Sequence, residues 1–247
     1  MRVAGPASAS PAVTAYAHTP PPPSTAPWRE AEFCVIDLET TGLDEGVDEI
    51  ISFAALQIAH GRVRLDDVHY QLMRPSRMPD AETIRIHGLR GSDLAQAPAL
   101  SEVLDELLET MTGRALVAHV ASIEAGFLAA ALKAHGLQLV NPVVDTAALA
   151  AELFRRRGQP VLDIETIGLS PLARALGLPV HRPHHADGDA LTTAQVFLAL
   201  ATHLDLLEPQ SVGSLERYGK RTRRRPTVRR GLAHELTRLR RRVRPRR

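Results

Sequence analysis

Phe33-Cys34-Val35-Ile36-Asp37-Leu38-Glu39-Thr40-Thr41-Gly42 constrains this chain more tightly than any other stretch. A β-prone, largely apolar run leads straight into two carboxylates one residue apart, and Thr40-Thr41-Gly42 then breaks the pattern. On a strand, side chains at i and i+2 share a face, so Asp37 and Glu39 stand together at its end. Two like charges side by side repel unless a cation lies between them, and hard oxygen donors suit Mg2+ or Mn2+. The plainer alternative is that one carboxylate caps the following turn while the other is solvated.

The rest of the chain decides between these readings. Its 247 residues are 44% hydrophobic, much of it Ala and Leu between positions 30 and 205, enough to bury one core. The single cysteine, Cys34, excludes an internal disulfide framework and lies in the apolar run as an expected buried, inert thiol. The reading expects no bilayer-spanning segment, no unbroken apolar signal core before position 27, no membrane partner, and a cytoplasmic protein. A net charge of +2 conceals an asymmetry: residues 217–247 hold 15 Lys and Arg against one acid, Glu235, leaving 15 bases and 27 acids elsewhere. A basic tail on an acidic body attracts polyanions with a strong salt dependence, and Arg223, Arg224, Arg225, Arg229 and Arg230 are its candidate nucleic-acid contacts. Solubility or a protein contact is the other use of such a tail.

Three segments are expected: a disordered, Pro/Ala-rich leader over 1–30, a folded domain over 31–207, and an Arg-rich tail over 208–247. After the opening strand, Ile50–His60 and Val63–Met73 read as two strands joined at His60-Gly61, an antiparallel meander. Helical spacing of Val103, Leu104, Leu107, Leu108 and Met111 predicts a helix over 99–111, with Ser101 as its cap. Strand and helix then alternate: a strand at 115–119, a helix from 122 to 135 ended by Gly136, a strand at 142–145, helices to 156 and over 170–176, and a long apolar helix from 186 to 206. Meander first and alternation afterwards give an α/β fold with a mixed sheet and helices on its faces.

Two later places bring candidate partners for the opening acids. Val117-Ala118-His119-Val120-Ala121-Ser122-Ile123-Glu124 takes a buried strand into a helix with Glu124 in its first turn, where an acid also complements the helix dipole. His184-His185-Ala186-Asp187-Gly188-Asp189 opens the last helix and puts an imidazole and a carboxylate at one locus.

Asp37-x-Glu39, His119 to Glu124, and His184-x-Ala186-x-x-Asp189, in this order, resemble the three motifs of the DEDDh 3′–5′ exonucleases, most of all the epsilon-subunit proofreading exonucleases of bacterial DNA polymerase III. Thr40-Thr41-Gly42-Leu43, Ile86-His87-Gly88-Leu89 and Val144-Asp145-Thr146 agree with the resemblance, which covers roughly residues 32–205. It implies a ribonuclease-H-like fold with a five-stranded mixed sheet. It implies two Mg2+ or Mn2+ ions on Asp37, Glu39, Glu124 and Asp189, with His184 as general base. Thr40, Thr41, Leu43 and His87 would contact the terminal nucleotide. His185 is the rival base, but only His184 has the five-residue step to Asp189. The implied substrate is a single-stranded nucleic-acid 3′ end, DNA in proofreading or repair, and the implied partner a DNA polymerase or other replication or repair protein. Trimming of RNA ends, as by an oligoribonuclease, and a non-catalytic nucleic-acid-binding module are the alternatives.

The residue types suit that chemistry. Attack on a phosphodiester anion at neutral pH needs charge neutralisation and an activated water, and a pair of ions can supply both. A histidine, with an ordinary pKa of about 6.5, can take the water's proton. One departure stands out: the family pattern His-Asn-x-x-Phe-Asp is here His119-Val120-Ala121-Ser122-Ile123-Glu124, with Asn lost and Asp lengthened to Glu.

Overall fold

A computed structural model describes residues 9–159 and 166–223, with side chains to 220. Five strands form one sheet: β1 (Phe33–Thr40), β2 (Ile50–Ala59), β3 (Arg62–Leu72), β4 (Ala115–Ala118) and β5 (Val143–Asp145), in the order β3-β2-β1-β4-β5. β1, β2 and β3 are the expected antiparallel meander, while β4 and β5 continue the sheet parallel to β1. The β2–β3 turn is His60-Gly61, both at positive φ (51° and 67°), the geometry that suits a two-residue hairpin.

Alternation along β1 sorts the core into two halves. Phe33 and Val35 point to one face, where they join α6 (Thr146–Arg156) and α8 (Ala186–Leu207) through Ala148, Leu149, Phe197 and Leu200. Cys34 and Ile36 point to the other, against α4 (Leu100–Met111) and α5 (Ser122–Ala134) through Leu104, Leu108, Leu128 and Leu132. Helices on both faces of a five-stranded mixed sheet are the expected ribonuclease-H-like arrangement. The smaller helices are α2 (Ala81–His87), α3 (Gly91–Leu94) and α7 (Leu169–Ala175).

Four expectations change. The leader is not wholly unpacked: α1 (Pro11–His18), capped by the Ser10 hydroxyl, lies against α4 and buries Ala12 and Tyr16. Trp28 is likewise buried, edge-on to Phe197 at 5.9 Å, because a large aromatic ring gains strongly from leaving water. Ser101 does not cap α4; Glu102 reaches back to the Ala99 N–H instead. The tail does not begin at 208, since α9 (Val212–Arg223) buries Val212, Leu215 and Tyr218. Finally, α8, at 22 residues, is long and apolar enough to cross a membrane by length and composition; its Phe197, Leu200, Ala201 and Leu204 are instead core residues of this domain. Arg224, Arg225, Arg229 and Arg230 lie outside the described residues.

Candidate active site

The site follows from where β1 outruns its neighbour. β1 pairs with β4 only from Phe33 to Val35, so Asp37 and Glu39 project past the end of β4 at the edge where the parallel strands finish. There β4 leaves the sheet through Val120, held at φ 55°, a backbone region that costs a β-branched residue about 1–2 kcal/mol. The turn delivers Glu124 in the first turn of α5. The family pattern has Asn at this position, a residue type that tolerates the left-handed region better than a β-branched Val does.

Two side chains hold the turn, the buried Asp145 and the part-buried His119. Asp145, at the end of β5, accepts the N–H groups of Val120 (3.2 Å), Ala147 (2.9 Å) and Ala148 (3.4 Å), tying the β4–α5 turn to the start of α6. His119 bonds the Ile167 carbonyl through Nε2 at 2.7 Å and Thr146 Oγ1 through Nδ1 at 2.8 Å. The carbonyl requires an Nε2–H. Burial pushes the His119 pKa down to about 4, consistent with a structural post. Neither residue was assigned a role from sequence; the signal available was their place at the ends of two adjacent buried strands.

Asp189 comes from the opposite side, on the first turn of α8. Its carboxylate accepts the His184 N–H at 2.8 Å. The loop before it is folded tightly, with Arg182 at φ 29° and His184 at φ 62°, and is pinned by Arg182–Asp187 (2.7 Å) and by the His181 N–H on Thr192 Oγ1 (3.0 Å). His184 is exposed, as a group exchanging protons with water must be.

The acids sense one another. Burial, then Glu39, Glu124 and Asp189, hold the Asp37 carboxyl well above the ordinary carboxylate range. Burial and Asp189 push Glu39 up to about 8, and burial, with Asp145 and Glu39, does the same to Glu124. Asp189 is raised by burial against the pull of its hydrogen bond to His184 and the charges of His184 and His185. Strand and helix ends more than 150 residues apart in sequence thus form one cluster of mutually repelling carboxylates.

Among the described residues no three His, Cys, Asp or Glu side chains form a ready-made ion cage. The donor set nevertheless fits a hard divalent cation: all four groups are carboxylates, and Glu124 Oε2 is buried without a hydrogen-bond partner, an arrangement that a cation would satisfy.

The expected nucleotide contacts stand at the same edge. Leu43 exposes 48% of its surface. Thr40 Oγ1 bonds the Gly42 carbonyl. Thr41 spends its hydroxyl inside the β1–β2 loop, donating to Asp48 (3.0 Å) and accepting from the Glu49 N–H (3.0 Å), so it shapes the loop. His87 is buried at the end of α2 beside His185; Nδ1 accepts the Leu89 N–H at 3.0 Å, and Nε2 has no partner. A groove of about 690 Å3 between the β1–β2 loop and the Phe127–Ala134 face of α5 includes none of the four acids in its lining.

The exonuclease family model RNase_T matches residues 34–197, spanning all of these elements. The chain belongs to this exonuclease family. Among its relatives, a DNA polymerase III PolC-type protein of Thermotoga petrophila is 37% identical over 172 residues, which are 69% of this chain and 12% of that protein. A DNA polymerase III subunit epsilon-like protein of Rhodobacter capsulatus is 35% identical over 175 residues, 70% of this chain and 24% of that protein. The chain therefore spans only a small part of the curated relatives it matches. Among solved structures, Exonuclease X in complex with 5′ overhanging duplex DNA superposes with a TM-score of 0.58 at 20% identity, covering 76% of this chain and 99% of that one. A 3′-exonuclease recognising a histone mRNA stem-loop shares the fold, at a TM-score of 0.57 and 17% identity over 74% of this chain and 68% of that one.

Proposed function

We propose that this exonuclease hydrolyses the terminal phosphodiester at the 3′ end of single-stranded DNA, with Asp37, Glu39, Glu124 and Asp189 holding two Mg2+ or Mn2+ ions and His184 as general base. The observation that carries the reading is the meeting of the four carboxylates, from β1, α5 and α8, where the parallel strands end. When bound, such ions neutralise the phosphate and acidify the attacking water. His184 takes that water's proton and, being exposed, passes it to solvent. The new bond joins the water oxygen to phosphorus, the bond to the 3′ oxygen breaks, and a nucleoside 5′-monophosphate leaves. Its own N–H holds His184 against Asp189, so base and acid keep a fixed relation. Leu43 offers an apolar surface to the terminal base, and the buried His87 supports that edge from below by accepting the Leu89 N–H. DNA is chosen because the relatives are named as DNA polymerase III proteins, which also makes a polymerase the protein partner this reading implies.

The test is incubation with 5′-labelled single-stranded DNA and RNA oligomers and Mg2+ or Mn2+. A metal-dependent ladder shortening from the 3′ end, strongest on DNA and reduced by at least about 10³-fold in Asp37→Asn, is expected. A stronger ladder on RNA would reassign the substrate. Binding with no ladder on either would make the domain a binding module.

A further inference from the structure

Among the described residues, two buried hydroxyls have no hydrogen-bond partner, Ser52 Oγ and Thr193 Oγ1, and neither residue exposes any surface. A buried polar atom without a partner weakens a fold, and most such atoms find one. Thr192, next in the chain, shows the ordinary solution: its hydroxyl donates to the Gly188 carbonyl at 2.9 Å and accepts the His181 N–H at 3.0 Å.

The two unsatisfied hydroxyls share a place in the fold. Ser52 on β2 is the cross-strand neighbour of Glu39 on β1. Alternation along β2 puts it on the face of Ala54, Leu56 and Ile58, the core half that holds Phe33, Val35 and α8. Residues directly opposite across antiparallel strands have Cβ atoms about 4.5–5.5 Å apart, so Ser52 stands beside the Glu39 side chain. On α8, Thr193 follows Asp189 by one turn and Phe197 follows Thr193 by another, so the three form one ridge. That ridge is located at both ends. Phe197 packs on Phe33 with ring centroids 4.9 Å apart, and Asp189 is close enough to Glu39 for its charge to be felt there. Thr193 therefore lies against the sheet between these contacts, in the layer just under the acids.

A carboxylate that binds a cation is itself oriented by hydrogen-bond donors behind it, and removing such a donor weakens the ion's hold. We propose that Ser52 and Thr193 are positioning residues whose hydroxyls donate to the Glu39 and Asp189 carboxylates when these acids hold a divalent cation. The inference rests on the reading of the four acids as ion ligands. It gives the two hydroxyls a use: they weaken the fold slightly and orient the acids for the ion.

The experiment compares the full chain with Ser52→Ala, Thr193→Val and Thr193→Ser. Binding of Mn2+ is followed by the electron paramagnetic resonance of the free ion, hydrolysis of a single-stranded DNA oligomer is titrated with Mg2+, and Tm is measured in EDTA. The Kd for Mn2+ should rise at least about tenfold in Ser52→Ala and in Thr193→Val, and the Mg2+ needed for half-maximal hydrolysis should rise in parallel. Thr193→Ser, which keeps the hydroxyl, should stay within about twofold of the wild type. In EDTA, Thr193→Val should melt at or above the wild-type Tm, because a methyl replacing a partnerless hydroxyl leaves nothing unsatisfied. An Mn2+ affinity within about twofold of the wild type in Ser52→Ala or Thr193→Val overturns the proposal for that residue. A lower Tm of Thr193→Val in EDTA also overturns it, since the hydroxyl would then be spent inside the fold, and so does a Thr193→Ser as weak as Thr193→Val, which would make the methyl the group that matters. If the wild type binds Mn2+ but hydrolyses nothing, the nuclease reading falls while the Kd values still decide the role of the hydroxyls. A wild type that binds no ion overturns both.

Discussion

Gly188 shows how narrowly Asp189, the last of the four clustered acids, is placed. A Cβ there would meet the backbone carbonyls of His181 at 2.5 Å and Arg182 at 2.7 Å. Within a helix Ala normally outranks Gly by about 1 kcal/mol, but a backbone neighbour cannot rotate away. Gly188→Ala should therefore destabilise the domain by roughly 2–4 kcal/mol and lower nuclease activity further by shifting Asp189 against His184. A thermal melt showing the usual helical gain would refute this. Gly42 is a milder case: its neighbour is the Asp48 carboxylate, a side chain, though one already holding Thr41 Oγ1 and the Asp44 N–H. At this scale the acids were legible, because a carboxylate pair ending an apolar strand is written locally. The contacts around Gly188 were not, since they depend on a loop folding back onto a helix.

At the level of the element, α1 and α9 are what the linear reading misplaced. Ser10 as N-cap and Pro11 at the first helical position are ordinary helix-start signals, but only Ala12 and Tyr16 are buried, too few to show a period. The helix is kept by its partners: Tyr16 donates to Asn141 Oδ1 at 2.7 Å and accepts the Val140 N–H at 3.3 Å, while Asn141 Nδ2 serves Met111 (2.7 Å) and Arg114 (2.8 Å). Tyr16→Phe should cost about 1–2 kcal/mol, because it strands a buried amide oxygen. Urea denaturation measures it, and an unmoved midpoint would show that α1 adds nothing to the domain. The five strands and α4 to α8, by contrast, were readable because their apolar periods run for whole turns or strands, whereas the short α2 and α3 were not read.

For the molecule as a whole, the clustered acids set how stability responds to pH. Glu39 and Glu124 are pushed up to about 8 in the fold, whereas an unfolded chain ionises them near 4.5. Between those values the folded state binds more protons than the unfolded one, so stability is complete below about pH 4.5 and falls as pH rises toward 8. In EDTA the Tm should drop between about pH 5 and 8.5, with millimolar Mg2+ or Mn2+ restoring it, since an ion that binds only the fold stabilises it by mass action. Glu124→Gln should flatten the drop. A Tm independent of pH in EDTA would contradict the clustering of these groups.

The antiparallel meander and the alternation of strand and helix after it were carried by local patterns: a two-residue alternation, a helical period, a turn dipeptide at His60-Gly61. Those patterns act between neighbours in the chain, so they can be read without the fold. The level at which Asp37 clears the end of β4, the His119 and Asp145 posts under the Val120 turn, and the docking of α9 through Val212, Leu215 and Tyr218 depend on contacts between distant segments. Such contacts are settled by how the two core halves pack across β1, and no stretch of the chain contains them alone.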